Sequence, residues 1–286
     1  MLTCADSLAR LDSRPDSSLL LSIAASLSWA YRDLRDLPTA TAWAKRGVEL
    51  SRTLSAGEQA MALSSLSRAY FHEGRLDDAV EMTRQAITLH EEAEGPDGAS
   101  VGVLSSQMAH TLMASGQPGE ALPHARRSVR IARLVYDEGH VRRFESMGLL
   151  GQLLEVAGEL REAEAYYDST VAIARMLPAA RTSTGLSMMT SLAQVRAALG
   201  NDPGAERAGL EAIRFGETLP ADEFRLDELM AMAQLQTGLA MHRQGKRSER
   251  AMLARALARI DAVEPETRAP WLEDPNVQTA QSVVRS

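Results

Sequence analysis

Apolar positions recur along this chain with the period of an α-helix. Leu63, Leu66 and Tyr70 follow an i, i+3, i+7 spacing, and Ala79, Met82, Ala86 and Leu89 continue it beyond Gly74. Met147, Leu150 and Leu154 repeat the first pattern before Gly158, and Ala163, Tyr167, Thr170 and Ile173 repeat the second after it. Each run places one apolar stripe along a helix. No segment reads convincingly as a β-strand.

The helices come in pairs. Gly74, Gly116, Gly158, Gly200 and Gly245 stand in matching contexts, at spacings of 42, 42, 42 and 45 residues, and each is soon followed by a small residue: Ala79, Ala121, Ala163, Ala205 and Ala251. Arg35 and Ala40 fit the same frame one unit earlier, without a glycine. Glycine ends a helix well because it enters the left-handed region without a Cβ penalty. Asp77, Asp78, Glu120 and Glu162 then occupy the first turn of the second helix, where the helix dipole favours acids. The predicted unit is therefore helix A, a short turn and helix B, repeated about six times.

On these residues the chain resembles the tetratricopeptide repeat family, over about residues 20–262. Ala79, Ala121, Ala163 and Ala205 match the family's small residue on helix B. Ser28, Ser67, Ala109, Gly151, Ala193 and Gly238 match the small residue within helix A, and Tyr31 and Tyr70 match its aromatic. The period is longer than the family's usual 34 residues, and the proline that often ends helix B is absent. This long form resembles the repeats of kinesin light chains and of bacterial repeat-containing regulators. The resemblance implies an all-α, right-handed superhelical solenoid of about six helix-turn-helix repeats. The expected organisation is a capping helix or partial repeat over 1–19, the solenoid over 20–262 and a proline-containing tail over 263–286. A short amphipathic helix is expected over 2–11. Pro265, Pro270 and Pro275 are expected to break helix in the tail, with Trp271 and Leu272 folding back over the last repeat.

Composition narrows the functional classes. With 286 residues, 45% of them hydrophobic, the chain has ample material for a packed core. Its formal charge of −7 sets a low prior for nucleic-acid binding. All of its 31 basic residues except Lys45 and Lys246 are arginine, which reads as the coding bias of a GC-rich bacterium. Cys4 is the single cysteine, so neither a disulfide within the chain nor a cysteine-built zinc site is expected. No apolar run approaches the roughly 20 residues that cross a bilayer, and a cytoplasmic location is expected. No phosphate-loop, dinucleotide, nucleophile-elbow or zinc-hydrolase motif is present, so neither a cofactor nor a catalytic site is expected.

What remains is a surface. In the family, helix A lines the concave groove, and its groove positions fall here on Trp29, Arg32, Arg68, Phe71, His72, Gln107, His110 and Met113, then Glu145, Gln152 and Gln194. Glu155 and His242 extend the same face. Hydrogen-bonding side chains mixed with apolar anchors suit an extended peptide or a partner helix. The resemblance thus implies a protein- or peptide-binding scaffold or sensor in bacterial signalling or transcriptional regulation. The alternative is a small-molecule binder or enzyme built on the same groove, with His72, His110, Glu145 and Glu155 as acid/base groups. Arg126, Arg130 and Arg133 form a stripe at i, i+4 and i+7 that reads first as a solvated convex face. An exposed repeat end can also pair with a second copy, giving a homodimer.

Overall fold

The structure is a computed structural model that describes residues 16–286 apart from Phe224 and Glu264. The helix expected over residues 2–11 lies outside the described residues. Every regular element described is helical, and the chain divides into two compact units at Tyr136 and Asp137.

The first unit holds three antiparallel hairpins: α1 (Ser17–Asp33) with α2 (Leu37–Ser51), α3 (Ala56–His72) with α4 (Leu76–Glu94), and α5 (Ala99–Ala114) with α6 (Pro118–Val135). Their turns are built alike. At the end of α3, Gly74 takes φ 77° and the Arg75 amide donates to the Tyr70 carbonyl at 2.9 Å, the six-to-one bond that closes a helix through a left-handed residue. Gln117 does the same to Leu112 after Gly116 at the end of α5. In the first hairpin Asp36 donates to Tyr31 at 2.9 Å, and Arg35 occupies the left-handed position at φ 63°. The frame thus overrides the residue type there, at a steric cost that glycine would not incur. Arg35→Gly is expected to stabilise the first unit by about 0.5–1 kcal/mol, read as a higher urea midpoint; an unchanged or lower midpoint would contradict the strain.

Small residues let the paired helices approach. Ala40, Ala79 and Ala121 are buried, and a Cβ on Gly102 of α5 would lie 2.7 Å from the Ile131 side chain of α6. At the α3–α4 crossing the trapped polar groups bond one another. The Ser67 hydroxyl donates to the Ala79 carbonyl at 2.8 Å and lies 2.6 Å from that of Thr83, so α3 and α4 share a buried hydroxyl pair.

The second unit repeats the plan with α7 (Val141–Val156) and α8 (Leu160–Met176), α9 (Ser183–Ala198) and α10 (Asp202–Gly216), α11 (Leu226–Arg243) and α12 (Glu249–Ala262). A 3-10 turn, Pro178–Ala180, joins the first two pairs. Tyr167 is fully buried and packs on Gly151, where a Cβ would meet the ring at 2.8 Å. The last pair departs from the expected frame. Ala251 is exposed, and the close approach runs instead between Gly238 and Leu253, because extra turn residues delay the start of α12.

The tail differs from its expected reading. Pro265 and Pro275 open helices α13 (Pro265–Glu273) and α14 (Pro275–Arg285), and Pro270 sits within α13. Proline is well suited to the first helical position, where its missing N–H has no intrahelical partner to lose. The Asp274 carboxylate caps α14 by accepting from the Asn276 amide at 2.7 Å. Val277, Ala280 and Val283 bury one face of α14 against Leu235, Leu239, Leu253 and Ile260, with Trp271 packed beside them. Leu272 stays exposed.

Salt bridges within each unit tie successive hairpins together. Arg130 reaches Asp97 at 2.6 Å, and Arg127 pairs with Glu91 and donates to the Pro96 carbonyl at 2.7 Å, so two residues in or beside the arginine stripe serve the fold. In the second unit Arg196 of α9 bridges Glu164 and Asp168 of α8, and Arg243 of α11 bridges Asp202 of α10. Such exposed pairs contribute little energy singly. They fix the stacking register.

Candidate partner-binding groove

The A helices of the first unit present two joined clefts. Period 3.6 brings Ala25, Trp29 and Arg32 of α1 to one edge, and Met61, Ser64, Ser65 and Arg68 of α3 to the facing one. These residues, with Ser28 and Ala69, line a cleft of about 200 Å³. A second cleft of about 510 Å³ opens between α3 and α5, lined by Met61, Ser64, Val103 and Leu104 with His90 from the end of α4. Met61 and Ser64 belong to both.

The first cleft is polar and basic. Trp29 is 57% exposed, an unusual state for so large an apolar surface, and the Arg32 guanidinium lies 6.0 Å from its ring centroid. Arg32 also meets Asp33 at 3.4 Å. Beyond Arg68, Phe71 packs edge-on to His72 at 5.5 Å and tilts against His110 at 5.1 Å. Partial burial holds the His72 imidazole below its usual pKa, and Arg32, Arg68 and Arg35 push it further down against a weaker pull from Asp33. Burial alone lowers His110. Three guanidinium groups thus act on one point at this end of the unit.

The eleven groove positions read from the sequence separate once placed. Trp29, Arg32 and Arg68 line the first cleft, Phe71, His72 and His110 form the ring cluster beside it, and Met113 lies half-buried on α5. Gln107 is already engaged. Its amide nitrogen donates to the Ser67 hydroxyl at 2.9 Å and its oxygen accepts from Ser64 at 3.5 Å, so it fastens α5 to α3. The remaining three lie in the second unit. Glu145 pairs with Arg142 at 3.1 Å, Gln194 is half-buried on α9, and Gln152 borders a separate cleft of about 190 Å³ with Ser187, Met188 and Arg225.

Glu155 of α7 carries a different chemistry. Its carboxylate accepts from the Tyr167 hydroxyl at 2.8 Å, and burial raises its pKa while that hydrogen bond partly opposes the rise. Burial, then the Glu155 charge, drives the phenol pKa strongly upward as well. A carboxyl with a raised folded-state pKa contributes stability below its unfolded pKa and loses it as pH rises through the folded value. Glu155→Gln is therefore expected to raise the neutral-pH denaturation midpoint and leave the acidic one nearly unchanged, measured by urea unfolding across that range. A lower midpoint at neutral pH would show that the charged form is the stabilising one.

Sequence reasoning missed Met61, Val103, Leu104 and His90. Met61 and Val103 lie nearer the helix starts than the carried-over positions, and His90 comes from a B helix. Among the described residues no group of three or more His, Cys, Asp or Glu side chains is arranged to hold a metal. No described helix is long and apolar enough to cross a membrane.

Comparison with known proteins follows the same lines. Residues 59–99 and 100–176 each match a tetratricopeptide repeat model. A search of curated proteins finds no match. Among solved structures, the putative kinesin light chain repeats of Podosopora anserina are 21% identical, covering 70% of this chain and 93% of that one with a TM-score of 0.58. RapI, in its apo form, is 16% identical over 93% of this chain and 95% of its own, with a TM-score of 0.67. A signal-transduction ATPase with a tetratricopeptide repeat sensor, from Pyrococcus horikoshii, is 14% identical and matches 97% of this chain but 40% of its own, at a TM-score of 0.75. At these identities the likeness is one of fold. Residues 59–176 thus match tetratricopeptide repeats, and the same A–B hairpin recurs on both sides of them, the architecture of a helical-repeat scaffold for protein interaction.

Proposed function

We propose that this chain is a cytoplasmic scaffold or sensor that binds a protein or peptide on the A-helix face of its first unit. The observation that carries the reading is the cleft between α1 and α3, where an exposed tryptophan stands beside two arginines and an exposed methionine. Tryptophan and arginine are the residues most enriched at binding hot spots. A rigid wall of packed helices holds them without a large ordering cost on binding. The cleft at Gln152 in the second unit, about 190 Å³, is smaller than the cleft at Met61, and Arg225 beside it is paired with Glu228, which supports placing the main contact on the first unit. Likeness to the tetratricopeptide repeat sensor of a signal-transduction ATPase supports the signalling part of this reading, and bacterial signalling or transcriptional regulation is the role proposed. In this reading the chain binds and does not catalyse.

Affinity co-purification from the native organism tests it, comparing wild type with Arg68→Glu and Phe71→Ala and identifying retained proteins by mass spectrometry. A protein held by the wild type and lost by both variants is the expected result. Equal retention by all three would place the binding surface elsewhere.

A further inference from the structure

The two clefts of the first unit differ in chemistry and meet end to end. The larger, between α3 and α5, has an apolar lining in which Met61 is 45% exposed and Val103 and Leu104 form the opposite wall. Its rim carries Glu58, whose carboxylate accepts from the Ser18 hydroxyl at 2.5 Å and from the Ser55 amide at 3.0 Å. Those hydrogen bonds, Ser18 first, hold it below the usual carboxylate range and so keep it charged. The smaller cleft ends in Arg32 and Arg68, with Arg35 near enough to His72 for its charge to be felt there. Asp33 pairs with Arg32 there, and Glu73 with Arg75. Along α3, then, an acidic rim and an apolar pocket give way within two turns to a basic end.

From this order we infer that the occupant is a peptide segment carrying a bulky apolar side chain and an acidic residue three positions apart, the first seated at Met61, Val103 and Leu104 and the second at Arg32 and Arg68. The inference rests on the groove reading above and adds the chemistry of the partner. The spacing follows from geometry. Met61 and Arg68 are seven residues apart on one helix, about 10 Å at 1.5 Å per residue. Extended chain covers that distance in about three residues. The order follows from charge, because Glu58 repels an acid from the apolar end while guanidinium receives a carboxylate in bidentate fashion. The 510 Å³ of the larger cleft accommodates a leucine- to phenylalanine-sized side chain.

The test is selection of phage-displayed random heptapeptides on the immobilised 286-residue chain, with sequencing of the enriched pool. Circular dichroism melts confirm that each variant folds. Wild type is expected to enrich peptides with a bulky apolar residue and an Asp or Glu three positions away. The double variant Arg32→Glu/Arg68→Glu is expected to exchange that acid for Lys or Arg while keeping the apolar residue, and to lose acidic peptides by about tenfold or more. Val103→Asn, which borders the larger cleft and not the smaller, is expected to remove the apolar preference alone. An unfolded variant cannot invert a charge preference, so loss of fold does not imitate the result. Peptides lost in both variants but lacking this spacing would overturn the inference and leave the groove standing. Peptides indifferent to both variants would overturn the groove as well. A pool with no enrichment would exclude a short segment as occupant, and the co-purification above would then decide whether the groove takes a folded partner.

Discussion

A single methyl group at position 185 is expected to destabilise the second unit by about 3 kcal/mol, the upper end of what overpacking a buried site costs. Gly185 lies in the first turn of α9, beneath the 3-10 turn that links it to α8. A Cβ there would stand 2.1 Å from the Ala180 carbonyl oxygen and 3.2 Å from the Phe215 ring. A clashing side chain can rotate away; a main-chain carbonyl cannot move without displacing the turn, and Ala180 is itself buried. Gly185→Ala should therefore lower the urea midpoint clearly. Gly57→Ala, at a helical site with nothing within 4 Å of the added carbon, should leave stability unchanged or raise it by up to about 1 kcal/mol. Equal midpoints for the two variants would show that the turn does not press on α9 as described.

The second large effect is on binding. Trp29→Ala is expected to weaken the partner's affinity by about 30-fold or more, the scale of an interface hot spot, while leaving the melting temperature nearly unchanged. Its ring is more than half exposed, so its removal deletes little of the core. Arg32 rests near that ring and loses a planar support with it. Titration calorimetry with the co-purified partner measures the change. An affinity within twofold of wild type would exclude Trp29 from the contact.

Much of the architecture was legible because turn chemistry is local. Gly74, Gly116, Gly158, Gly200 and Gly245 all take positive φ, as a helix closed by glycine requires. Arg35 was legible too, by its place in the frame, and it adopts the same conformation without being glycine. The tail departs from its sequence expectation because proline breaks a helix interior but suits a helix start, and Pro265 and Pro275 stand at starts. Ala251 was misplaced because its register depended on counting from Gly245 across a turn that carries extra residues.

The candidate site was half legible. Register along a helix says which side chains share a face, so Trp29, Arg32 and Arg68 came together as expected. Register does not say whether a polar side chain is already engaged. Gln107 had the right position, yet it bonds Ser67, which lies 40 positions earlier in the chain, and no local pattern reveals that. The cleft at Met61 was hidden for a related reason: it needs His90 from a B helix and Val103 from the next hairpin, residues joined only by packing.

Hydroxyl-radical footprinting of the chain, free and bound to its co-purified partner, tests the central claim most directly. Tryptophan and methionine oxidise readily when exposed, and Trp29 and Met61 flank the first cleft while Met176, 69% exposed in the second unit, serves as an internal reference. Binding on the A-helix face of the first unit predicts that oxidation of Trp29 and Met61 falls severalfold in the complex while Met176 reacts as before. Trp29 and Met61 oxidising at their free rates within a saturated complex would contradict it.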